Sequence, residues 1–136
     1  MSFELRQHTA DVAVSARGST LGDVFAAVAD GLAAAMFDTV PEGGDRFDLA
    51  VAAESREALL FDYLDELIYQ RDVRGVLPVD NEAQVTETGD EWRLAGSVRG
   101  VPLDRVAARD VKAVTYSEMR IARTADGWEA YVVFDV

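Results

Sequence analysis

The chain has no cysteine, a single lysine, a single histidine and three prolines. Without cysteine there are no disulfides, no thiol nucleophile and no thiolate zinc site, which agrees with a reducing compartment. With His8 as the only imidazole, a metal centre built on several histidines is excluded, and any nucleophilic triad has to recruit that one ring. No Ser stands in a strand-to-helix elbow of the Gly-x-Ser-x-Gly kind, so the hydrolase signal is weak. A basic run is missing too. At a formal net charge of -12 the chain has no patch with which to grip phosphates, and any link to nucleic acid has to pass through a partner. No stretch reaches the length and apolarity of a membrane span, and Met1-Ser2-Phe3-Glu4 lacks the basic-then-apolar plan of a secretion signal. The expected location is the cytoplasm.

What is present fits one domain over residues 1–136, long enough to bury a core. Asp outnumbers Glu and Arg almost completely replaces Lys. This bias suggests a surface adapted to high salt, where the Debye length shrinks to about 3 Å at 1 M and dense negative charge serves solubility.

Alternation of apolar and polar residues predicts strands over Phe3 to Gln7 and Val12 to Arg17, joined by His8-Thr9-Ala10-Asp11. Thr20 is a credible N-cap, with Asp23 favoured in the first turn, and Leu21, Val24, Phe25, Val28, Leu32 and Met36 recur at helical spacing to about Phe37. Phe47, Leu49 and Val51 predict a third strand. Ser55 caps a second helix whose Leu59, Leu60, Tyr63, Leu64, Leu67 and Ile68 form an apolar face to about Arg71, punctuated by Gly75. Val76 to Thr86 reads as a strand in which Pro78 suits a start or an edge. A turn at Thr88-Gly89-Asp90 leads to its partner through Trp92, Leu94, Gly96 and Val98. Gly100 to Asp110 is weakly patterned, Val111 to Arg123 reads as a long strand, and Asp126-Gly127 signals a hairpin into a last strand over Trp128 to Val136. The expected fold is α+β, with two helices packed on a mainly antiparallel sheet of about seven strands.

The last strand, Tyr131-Val132-Val133-Phe134-Asp135-Val136, is apolar, and it is expected to hold a main-chain carboxylate one residue beyond the Asp135 side chain. Such a cluster is costly unless a proton, a cation or exposure relieves it. Asp11, in a short connection between strands, can complete three oxygen donors with Asp135 and the carboxylate of Val136, a set that suits calcium or magnesium better than zinc. The plainer reading of Asp11 is a turn residue accepting bonds from nearby amides. His8 is a ligand, a proton carrier or a hydrogen-bonded packing residue. Lys112 either neutralises the carboxylates, contacts a phosphate or is an exposed strand residue. Thr115 and Tyr116 read as packing and cross-strand residues.

Three motifs in order, His8-Thr9-Ala10-Asp11-Val12, Lys112-Ala113-Val114-Thr115-Tyr116 and Val132-Val133-Phe134-Asp135-Val136, resemble the archease family across essentially the whole chain. The resemblance implies a non-enzymatic activator of the RtcB-type RNA ligase of tRNA splicing, promoting GTP-dependent guanylylation of the ligase and its multiple turnover, with RNA met only through the ligase. It also implies a bound divalent cation, calcium first with magnesium or manganese as substitutes, held by Asp11, Asp135 and Val136. His8 and Lys112 would then lie at the ligase interface. Ser117 departs from the pattern, since many archeases carry His there. Two other classes stay open: a chaperone-like protein-binding module without a metal-dependent role, and a small metal-assisted hydrolase needing a base such as His8.

Overall fold

The computed structural model describes residues 2–8, 11–37, 39–103 and 111–136, with Arg6, Gln7 and His8 described through their backbone. Thr9 and Ala10 of the first expected connection, and 104–110 of the expected Gly100 to Asp110 loop, lie outside the described residues. Among the described residues there are seven strands and two helices. In chain order these are β1 (Ser2–His8), β2 (Asp11–Gly18), α1 (Leu21–Met36), β3 (Asp45–Ala53), α2 (Arg56–Arg74), β4 (Val76–Thr88), β5 (Glu91–Pro102), β6 (Ala113–Thr124) and β7 (Gly127–Asp135).

Local chemistry starts and stops the helices where the sequence indicates. The Thr20 hydroxyl accepts from the Asp23 amide at 3.1 Å, and the Ser55 hydroxyl from the Ala58 amide at 3.1 Å, so each satisfies one of the orphan donors of a first turn. Gly75 ends α2 in the left-handed region, φ 65°, where its amide donates to the Arg71 carbonyl at 2.8 Å.

The strands divide into two antiparallel sheets, one ordered β1-β2-β7-β6 and the other β3-β5-β4. Pro78 falls near the start of β4, an edge strand, where its missing amide costs no ladder bond on the open side. Helix α1 lies against both sheets. A Cβ at Gly31 would come 2.5 Å from Val14 Cγ1 of β2, and one at Gly22 would come 2.3 Å from the Ala83 carbonyl oxygen of β4. The alanines and glycines flanking its large apolar stripe, such as Ala26, Ala27, Ala29, Gly31 and Ala33, are buried as well, which leaves Leu21, Asp23, Asp30 and Ala34 half-buried. Phe25, Leu32 and Met36 of α1 meet Leu60, Tyr63, Leu64 and Leu67 of α2, with Val14, Leu94 and Phe134 from the sheets, in one core.

Two bulges interrupt the ladders. Between Thr115 and Arg120, β6 advances five residues while β7 advances two, from Val133 to Tyr131, so the single long strand expected there is broken in register. Tyr116, Ser117 and Glu118 are all exposed in consequence, with the Tyr116 ring set 5.5 Å from that of Phe61. In β4 the register shifts between Val79 and Glu82, with Asp80 at φ 50°. That shift sends Asn81 inward, where its amide and its Nδ2 both donate to Asp30 Oδ1 of α1, at 3.0 and 2.9 Å.

Candidate functional site

The two central strands of the four-stranded sheet bring Asp11 and Asp135 together. β2 begins at Asp11, β7 ends at Asp135, and antiparallel register sets the two residues directly opposite each other. Partners of this kind share a sheet face, with Cα atoms about 4.5–5.5 Å apart. On β2 and β7 the alternate residues Val14, Ala16, Val132 and Phe134 belong to the core, which assigns Asp11 and Asp135 to the opposite face. Asp11 is half-buried and Asp135 exposed, and among the described residues neither carboxylate is in an ion pair. Like charges facing across a strand pair repel, so the position favours a cation.

The same row extends to both sides. His8 of β1 is the register partner of Asp11, and Ala113 of β6 is the partner of Asp135, giving His8, Asp11, Asp135 and Ala113 in order across four strands. The His8 side chain lies outside the described residues. Val136 follows Asp135 and is 39% exposed. Lys112 is exposed, and its main-chain amide donates to the Asp135 carbonyl oxygen at 2.8 Å, which pins the end of β7 to the start of β6. Ser117 sits in the β6 bulge, away from the row.

Among the described residues no three side chains of His, Cys, Asp and Glu converge to hold a metal. A cation at the row therefore needs a donor beyond the two aspartates, and Val136 is the residue that follows Asp135. The donor chemistry fits a hard ion, since the two carboxylates provide oxygen alone.

Residues that sequence reading passed over lie deeper. Arg71 is 8% exposed in α2, and Asp30 is tied to Asn81 as described above. Burial raises the Asp30 carboxyl above its ordinary value of 3.8 despite the two bonds from Asn81 that oppose the shift. Burial, with the Asp30 charge adding to it, also pushes the Tyr63 hydroxyl up. The available signal for Arg71 is its spacing, since it extends the stripe of Leu60, Leu64 and Leu67 by one turn. For Asn81 no local signal exists, because only the bulge turns it inward.

An open groove of about 1260 Å³ runs between the first turn of α1 and the three-stranded sheet, lined in part by Thr20, Asp23, Asp48, Glu82, Gln84 and Ser97. It lies at the other end of β2 from Asp11, roughly 25 Å away at about 3.3 Å per residue. No described helix is long and apolar enough to cross a membrane.

Residues 3–136 match the family model described as the Archease protein family (MTH1598/TM1083). Among similar chains, the protein archease of Thermococcus gammatolerans is 37% identical over 139 residues, covering 98% of each chain. That of Pyrococcus furiosus is 33% identical over 143 residues, again covering 98% of each. The solution structure of Methanobacterium thermoautotrophicum protein 1598 superposes with a TM-score of 0.85 at 30% identity, covering 98% of both chains. The crystal structure of a Thermotoga maritima archease, described as a "possible chaperone", shares the fold with a TM-score of 0.60 at 20% identity, covering 96% of this chain and 94% of the other.

Proposed function

From the premise that this chain belongs to the archease family, we propose that it is a non-enzymatic activator of an RtcB-type RNA ligase, and that its working end is the acidic row closing the four-stranded sheet. In this reading Asp11, Asp135 and the main chain of Val136 hold one divalent cation, calcium or a substitute such as magnesium or manganese. The cation, when bound, would neutralise charge and rigidify the tip.

The observation that carries the reading is the register of Asp11 against Asp135 on adjacent central strands. The chain's own residues then have separable tasks. The two aspartates supply oxygens from rigid strands rather than from a loop, which limits the ordering that ligand binding has to impose. The Lys112 amide holds the backbone of Asp135 and its side chain is exposed, and in this reading Lys112 and His8 meet the partner. The net charge of -12 leaves RNA contact to the ligase and favours a basic rim on that partner.

The experiment mixes the full chain with the cognate ligase at limiting concentration, GTP and broken tRNA exons. Added protein is expected to raise guanylylation and to convert a single round into many. Unchanged turnover would remove the proposal. The description of the Thermotoga relative favours one second reading, a chaperone-like module that shields a partner without a metal. An Asp11→Ala variant that activates the ligase as well as the native chain would select it.

A further inference from the structure

Among the described residues Arg71 is the buried charged side chain, and it reaches from helix α2 toward the acidic row. It stands four residues after Leu67 on the apolar stripe, so its stem runs through the core. Its Nη1 donates to the Val111 carbonyl oxygen at 2.6 Å and lies 3.4 Å from Met36 Sδ, while its Nε donates to Asp72 Oδ1 at 3.0 Å. A buried guanidinium on a main-chain carbonyl is a charge-assisted bond that fixes direction as well as distance.

The next residue after Val111 is Lys112, whose amide donates to the Asp135 carbonyl, and Asp135 faces Asp11. A short relay therefore runs from Arg71 through Val111 and Lys112 to the row. The same turn of α2 holds a second point, because the Leu103 amide donates to the Gly75 carbonyl oxygen at 2.8 Å. Leu103 and Val111, the residues on either side of 104–110, are thus both tied to the end of α2.

We propose that Arg71 is a positioning residue for the acidic row: by holding Val111 it sets where the chain enters β6, and so keeps the backbone of Asp135 in place opposite Asp11. Lysine is a poor replacement, since a point charge cannot donate along two directions of a planar fork. The positioning claim stands on the hydrogen bonds alone, and its consequence for calcium rests on the reading given under Proposed function.

The test compares the full native chain with Arg71→Met and Arg71→Lys by amide hydrogen exchange. The Lys112 amide is expected to exchange faster in Arg71→Met by roughly tenfold or more, the scale of losing one bond to a charged group, relative to amides of β5 such as Val98. Arg71→Lys is expected to fall between. Acceleration of Lys112 only in step with β5 would mean general destabilisation and would overturn the proposal. Where Arg71→Met does not fold, Arg71→Lys decides by the same comparison. A calcium titration of each chain forms the second arm, with weaker binding expected in the order native, Lys, Met. Equal affinity in all three removes Arg71 from positioning the ligands. A native chain that binds no calcium removes the metal reading, and the exchange arm then decides Arg71 by itself.

Discussion

Replacing Asp135 by Asn should reverse the sign of its effect on stability according to whether calcium is present. Without the ion, the native chain sets Asp11 and Asp135 directly opposite each other, their Cβ atoms about 5 Å apart. Their repulsion is roughly 1–3 kcal/mol for an effective dielectric of 80 to 20. The exposure of Asp135 and ordinary salt reduce this to about 0.5–1 kcal/mol. At about 2.1 cal/mol/K per residue, the 136 residues give an unfolding entropy of ~0.29 kcal/mol/K, so Asp135→Asn should melt about 2–3 °C higher in a chelator. With calcium at a hundredfold excess over Kd, the native chain gains about 2.7 kcal/mol, or about 9 °C, and the variant loses most of that gain. The two melting curves, followed by circular dichroism at moderate ionic strength, should therefore change order when calcium is added. A variant that melts lower in both conditions, or one that keeps the full calcium shift, refutes the reasoning.

Other consequences follow from packing, backbone and burial. Gly22→Ala sets a Cβ against the Ala83 carbonyl and should cost about 1–3 kcal/mol in urea unfolding, because backbone on both sides has to move. Gly75→Ala meets open space but a left-handed φ, so it should cost only about 1 kcal/mol, and Gly75→Asn less. Asp30→Asn retains an acceptor for Asn81 while removing a carboxylate that burial holds above 3.8. The folded native chain binds that proton more readily than the unfolded one, so the penalty is absent below about pH 3.8, appears as pH rises and is complete above the folded value. Denaturant titrations should show Asp30→Asn gaining on the native chain through that window, and a flat or opposite difference contradicts the assignment.

How much of this was legible depended on how local the cause is. Thr20, Ser55 and Gly75 act within one helical turn, and Gly89 and Gly127 within one hairpin, so the sequence alone places those ends to within a few residues. The α+β class, two helices and seven antiparallel strands also follow from periodicity. The division of the strands into two sheets does not, because it depends on pairings such as Asp11 with Asp135 between distant parts of the chain. The alanine face of α1 reads as neutral until two layers are seen to close on it. A bulge shifts register without marking the alternation, so the expected run from Val111 to Arg123 became a strand over Ala113–Thr124 with Tyr116 to Glu118 exposed. For the acidic row, the residue types suggested the grouping and the resemblance pointed to the same residues, while the register of Asp11 against Asp135 supplied a backbone geometry that neither could derive.

The most direct measurement is anomalous diffraction at long wavelength from crystals of the full chain grown with calcium. One peak is expected, at about 2.3–2.6 Å from oxygens of Asp11, Asp135 and the Val136 main chain together. A fully occupied calcium elsewhere, with no peak between Asp11 and Asp135, would contradict it.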